Sequence, residues 1–96
     1  MGLELQHVLI DTCLRLDQML CESKLIDCTM SGSTGVICLV FEGTVYIANV
    51  GDSGAMLIES RSEYPGQLFH VQLTREHQPR IPEERTRILE NGGEIK

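Results

Sequence analysis

Apolar residues recur at three- and four-residue steps at the start of the chain. Leu5, Val8, Leu9, Leu16, Met19 and Leu20 mark the steps, with Glu4, Asp11, Arg15, Asp17 and Gln18 between them. That spacing puts the apolar side chains on one stripe and predicts an amphipathic helix of about five turns. The stripe needs something to cover, and Met19 and Leu20 are expected in the core. Residues 23–30 are mixed and polar and read as a loop.

The pattern then changes period. Val36 to Phe41 is apolar at every position, so both faces of a strand would be apolar, because consecutive side chains point oppositely. Glu42-Gly43 predicts a tight turn, and Thr44 to Val50 comes back, again apolar on both faces. Strands of that kind imply a layered protein with material above and below the sheet. Gly51-Asp52-Ser53 is turn chemistry, and a third strand is predicted over Ala55–Ile58, joined to the second at this turn as a hairpin corner. Residues 59–67 form a polar loop carrying Pro65-Gly66. Leu68 to Leu73 alternates, with Phe69, Val71 and Leu73 on one face of a half-buried strand near an edge. His70 lies on the polar face and is expected to be solvated. Residues 74–79 read as a linker. Pro82, Glu83 and Glu84 suit the first turn of a helix that carries Ile88 and Leu89 and ends at Asn91-Gly92-Gly93. Glu94-Ile95-Lys96 looks like the start of another strand.

Charge and composition narrow the functions. The 96 residues suffice for one small domain, with a net charge of -6 and no Trp. No basic stripe exists to neutralise phosphates, and aromatic stacking is poorly supplied, so no nucleic-acid partner is expected. The acidic balance would repel anionic substrates unless a metal cation supplied local positive charge. No apolar run reaches membrane-spanning length and no basic-then-apolar leader opens the chain, so no membrane partner is expected. Cys13, Cys21, Cys28 and Cys38 make no Cys-x-x-Cys pair and have no histidine at zinc spacing. Cys13 and Cys38 fall in apolar patterns and are expected as buried free thiols in a reducing compartment. An intracellular protein, cytoplasmic or nuclear, is the corresponding expectation.

Candidate chemistry is sparse. Ser31-Gly32-Ser33-Thr34-Gly35 has neither the Lys nor the following helix of a phosphate-binding loop, and no Gly-x-Ser-x-Gly frame. Asp52 sits at the tip of the Gly51-Asp52-Ser53 turn. A carboxylate held there is a good metal ligand or hydrogen-bond acceptor, and is equally ordinary turn punctuation.

Four stretches occur in a telling order: Ser31-Gly32-Ser33-Thr34, Ala48-Asn49-Val50-Gly51-Asp52-Ser53, Leu73-Thr74-Arg75-Glu76-His77-Gln78-Pro79, and Glu84-Arg85-Thr86-Arg87-Ile88 closed by Asn91-Gly92-Gly93. Together they resemble the middle of a PP2C-type (metal-dependent) serine/threonine protein phosphatase, whose pattern runs SGSTA, VANVGDSRA, LTxDHKP and ExxRIxxxGGxV. The resemblance covers Ser31 to Ile95, and the first helix precedes it as in the family. It implies an α+β fold, with antiparallel sheet packed with helices as part of a four-layer α-β-β-α sandwich. It also implies phosphoserine or phosphothreonine hydrolysis in a protein substrate. Two Mg²⁺ or Mn²⁺ ions held by oxygen ligands would activate a water for that attack. Within this chain only Asp52 matches a family position near those metals, where it helps hold a more weakly bound third ion. No catalytic residue is carried over. His77 matches the histidine of the family's third motif and is read as a structural cap, and Asn49 and Ser53 as residues that shape the turn.

The chain also departs from the pattern. Gly54 replaces the usual Arg, Gly35 a common Ala, Glu76 the usual Asp and Gln78 the usual Lys. The N-terminal DGHGG motif, the upstream phosphate-gripping Arg and the downstream DGxWD and DN motifs are missing. Residues 1–96 are therefore expected to be a partial phosphatase domain, inactive alone, that dimerises or self-associates through its uncovered strands. The alternative is a pseudophosphatase or interaction module that keeps the fold without catalysis. A self-contained domain with a coincidental pattern ranks behind both.

Overall fold

The structure is a computed structural model and describes residues 2–96. It contains helix α1 (Gly2–Glu22), strands β1 (Gly35–Phe41), β2 (Thr44–Val50), β3 (Met56–Ser60) and β4 (Leu68–Gln72), and helix α2 (Pro82–Glu90). The strands form two separate two-stranded antiparallel sheets, β1 with β2 and β3 with β4. The fold is α+β, as the resemblance implied.

The β1–β2 hairpin follows directly from its turn. Phe41 pairs with Thr44, leaving Glu42 and Gly43 as a two-residue loop. Both lie at positive φ, 48° and 76°, which matches the right-handed twist of the flanking strands. The second hairpin pairs Met56 with Gln72 and Ser60 with Leu68. Its loop is braced by Arg61, whose guanidinium lies 3.9 Å from the Phe69 ring centroid, and by Tyr64, edge-on to the same ring.

Helix α1 packs along β2, the only helix-on-strand packing among the described residues. Gly2, Leu5, Leu9 and Cys13 are its half-covered positions. They are spaced three or four apart, as one helical stripe requires. A Cβ on Gly2 would stand 3.3 Å from the Tyr46 hydroxyl, so the helix start lies close against the strand. The opposite face of the hairpin carries Val40, which is 67% exposed.

Several expectations are corrected here. The uniformly apolar strands are not buried on both faces. No described residue is fully buried. Met19 and Leu20, expected in the core, are 62% and 45% exposed, because no second layer closes over the end of α1 and Leu20 lines only an open groove beside Thr34, Gly35 and Ile37. Cys13 is half-buried rather than buried, and Cys38 is exposed, since the two-stranded sheet has one helix to cover one face. Residues 94–96 form no strand, there being no neighbour for them to pair with. Finally, Gly51-Asp52-Ser53 is not a hairpin corner. It carries the chain from one sheet to the other, and β2 and β3 do not pair.

The open construction is measurable. The accessible surface is 8181 Å², where a folded monomer of this mass exposes about 5,500 Å². The radius of gyration is 17.1 Å, against about 12.5 Å for a compact domain of this length.

Candidate functional site

The site is built on the crossing between the two sheets. Gly51 closes β2 at φ 102°, a conformation open to glycine and costly for other residues. Space enforces the same choice, since a Cβ there would come within 2.5 Å of the Thr34 methyl carbon. Thr34, just before β1, also bonds Ser53 through their hydroxyls at 2.8 Å. The turn is thus fastened to the start of the first strand.

A second segment, residues 74–78, fastens it from the other side. Gly51 N–H donates to His77 Nδ1 at 3.0 Å, and His77 N–H donates to Gly51 O at 3.0 Å. An imidazole that accepts at Nδ1 carries its proton on Nε2 when neutral. Asn49 donates from Nδ2 to the Arg75 carbonyl at 2.9 Å and to the Gly51 carbonyl at 3.2 Å. Its Oδ1 is buried without a partner. Thr74 Oγ1 accepts from Ala55 N–H at 3.0 Å, and Leu73 N–H donates to Ala55 O at 3.0 Å. The crossing therefore has its orphan backbone groups satisfied by residues 18–26 positions away.

Asp52 stands exposed at the outer side of this turn. Gln78 Nε2 donates to its Oδ2 at 3.0 Å. The orientation of that amide is set behind it, where Arg80 Nε donates to Gln78 Oε1 and Arg80 Nη2 donates to Glu76 Oε1 at 2.9 Å. Arginine offers only donors and a carboxylate only acceptors, so the amide oxygen faces Arg80 and the NH₂ faces Asp52. Gly54, next along, lies against Thr74. A Cβ there would stand 2.9 Å from Thr74 Oγ1.

The structure places the sequence-derived candidates clearly. Asn49, Asp52, Ser53 and His77 come together at one crossing. Gln78 and Thr34, which no sequence argument singled out for contact with the turn, belong to it as well. Nothing local marks them, because both reach the turn through tertiary contact. His70 lies exposed on β4, away from the crossing. A groove of about 520 Å³ runs between α1 and β2 beside Leu9, Cys13, Val45 and Ala48, and Asp52 does not line it.

A divalent ion asks for more donors than this turn supplies. Hard cations take six or more oxygen ligands. Among the described residues no three His, Cys, Asp or Glu side chains cluster so as to hold one. Asp52 offers one carboxylate, with Oδ2 already accepting from Gln78. These residues do not fit a complete metal site. No described helix is long and apolar enough to cross a membrane.

A family model described as protein phosphatase 2C matches residues 2–96. The chain belongs to the protein phosphatase 2C family. It is 37% identical over 86 residues to "Probable protein phosphatase 2C 73" of Arabidopsis thaliana, covering 90% of this chain and 22% of that protein. It is 44% identical over 71 residues to "Probable protein phosphatase 2C 12" of Oryza sativa subsp. japonica, covering 73% and 18%. A stretch 46% identical over 63 residues also occurs in a protein named "Adenylate cyclase" of Podospora anserina, covering 66% of this chain and 3% of that one. The chain spans less than a quarter of the length of each of these three. No solved structure matches it significantly.

Proposed function

We propose that this chain is the central portion of a protein phosphatase 2C domain that removes phosphate from phosphoserine and phosphothreonine in proteins. In the complete domain it would form one part of a four-layer α-β-β-α sandwich. The observation that carries this reading is the family match over residues 2–96, joined to an α+β chain whose faces stand open. An excess of some thousands of Å² of exposed surface is what remains when covering layers are absent.

Asp52 is assigned one ligand position at a peripheral third ion, Mg²⁺ or Mn²⁺, in that complete domain. Its support is the matching motif and the tethering of the turn from both sides, by Thr34 and Ser53 and by His77 and Gln78. The two-ion hydrolysis itself is carried by residues outside this chain, and nothing here supplies a nucleophile, a general acid or a phosphate clamp. The chain alone is therefore without turnover. Hydrolysis of p-nitrophenyl phosphate or a phosphopeptide in Mn²⁺ tests this. Turnover by the 96-residue chain that disappears in Asp52→Ala would overturn the inactivity.

A second reading, a pseudophosphatase or interaction module, draws on one local feature. Both groups flanking Asp52 are neutral, Gln78 in direct contact and Gly54 two positions on, and Gly54 is held tight to Thr74. The longer coding sequence separates the two. Intact metal-binding Asp motifs on either side favour the enzyme, and substituted ones favour the module.

A further inference from the structure

The end of α1 and the loop after it bring two thiols together. Cys21 lies in the last turn of α1, and Cys28 follows in the loop. The loop folds back so that Cys28 Sγ donates to the Leu20 carbonyl at 2.9 Å. Leu20 adjoins Cys21, so the Cys28 thiol is held against the same helical turn that carries the Cys21 thiol. Separate contacts hold the fold-back. Ser23 N–H donates to the same Leu20 carbonyl at 3.3 Å, and Leu25 N–H donates to Ser23 Oγ at 3.1 Å. Asp27 accepts from both Thr29 N–H and Thr29 Oγ. All four cysteines are free thiols, with Cys21 exposed and Cys28 half-exposed, so a small reagent reaches both. Neither takes part in the crossing at Asp52 or in the packing of α1 on β2.

We propose that Cys21 and Cys28 form an intramolecular disulfide by exchange with a low-molecular-weight disulfide of the glutathione type. One protein thiolate attacks a sulfur of glutathione disulfide, forming a mixed disulfide and expelling one glutathione thiolate. The second protein thiolate attacks the protein sulfur of that mixed disulfide and expels the other glutathione. The two protein thiols give up two electrons and two protons, and glutathione disulfide takes up both as two glutathione thiols. The second step is intramolecular between groups already adjacent, which raises its effective concentration over any partner in solution. Cys13 is turned toward β2 and Cys38 lies on β1, so neither competes. The bridge fixes the end of α1 to the segment that leads into β1.

The surroundings set the pace. Lost hydration, then the charges of Asp17, Cys28 and Glu22 around it, push the Cys21 thiol up from its ordinary value. Its thiolate is scarce at neutral pH, so exchange quickens as pH rises.

The test equilibrates the 96-residue chain in mixtures of oxidised and reduced glutathione, alkylates the remaining thiols and maps peptides after trypsin. Lys24 lies between the two cysteines, so cleavage there separates them unless they are bridged. A Cys38→Ser background removes the other cysteine on the Cys28 peptide. The expected result is a roughly tenfold loss of alkylation at Cys21 and Cys28, Cys13 staying free, with peptides 16–24 and 25–61 joined. Cys28→Ser should instead trap Cys21 as the mixed disulfide with glutathione. Dimers linked between chains, bridges to Cys13 at an equal yield, or Cys21 and Cys28 both still free under oxidising conditions would each overturn the proposal.

Discussion

Gly51 and His77, 26 positions apart, are bonded twice, main-chain N–H to ring Nδ1 and main-chain N–H to main-chain carbonyl, each at 3.0 Å. The pairing imitates one rung of an antiparallel ladder, with an imidazole nitrogen standing where a carbonyl oxygen would be. It joins two sheets that otherwise share no strand.

Replacing His77 by Ala removes the acceptor for Gly51 N–H. A net loss of about 1 kcal/mol is expected, the contribution of one ordinary hydrogen bond. Amide hydrogen exchange at Gly51 should speed up, while exchange within the β1–β2 ladder stays the same. Equal acceleration throughout would show that the pairing is not local.

Gly51→Ala meets two obstacles, positive φ and the Thr34 methyl. Destabilisation of about 1–3 kcal/mol is expected. Thr34→Ser in the same chain keeps the hydroxyl bond to Ser53 and removes the methyl. It should recover part of the loss and leave the φ penalty. A double-mutant cycle by denaturant unfolding separates the two.

Asn49→Asp puts a carboxylate oxygen where Nδ2 now donates to two carbonyls. Asn49→Ala merely removes those two bonds, and the Gly51 carbonyl still accepts from His77 N–H. Asp should therefore cost more than Ala, by about 1–3 kcal/mol. Equal losses would mean that the side chain turns away to solvent.

Glu84 lies below its ordinary carboxylate value chiefly because Arg87 donates to it, at 2.7 Å from Nη2. A carboxylate depressed by folding adds stability above its unfolded value. That stability fades as pH falls through the lower folded value. Carbon-13 titration of the Glu84 carboxyl should show the depression, and Arg87→Gln should move its midpoint upward.

The uncovered strand faces predict self-association. Sedimentation should show a mass that rises with concentration, and an apolar dye should bind. Val40→Lys, on the outer face of β1, should lower both. A single concentration-independent monomer that binds no dye would contradict the open arrangement.

How much of this was legible in the chain depends on where the partners sit. Glu42-Gly43 announced its hairpin because everything that decides a two-residue turn lies in those two φ angles. The α1 stripe was legible for a similar reason, since period alone assigns a face. Its extent was not. Met19 and Leu20 share the stripe with Leu9, but whether a stripe is covered depends on how far the opposite layer reaches. The crossing at Gly51-Asp52-Ser53 was misread as a hairpin for a related cause. Turn residues advertise a change of direction and say nothing of which strand comes next to which. The groups that decide it are Asn49 Nδ2 and His77 Nδ1, and their partners are main-chain atoms, which carry no sequence signature. Asp52 was legible as an exposed turn carboxylate, while its contact with Gln78 came only from the fold.

The β3–β4 hairpin lies wholly between the two halves of the Gly51–His77 pairing. Its far loop, residues 61–67, is braced on Phe69 and touches nothing at the turn. Residues can therefore be spliced into that loop, or trimmed from it, without altering how the Asp52 turn is tethered. Variation in length is cheapest there, and a reporter peptide grafted between Glu63 and Gly66 should leave the crossing as it stands.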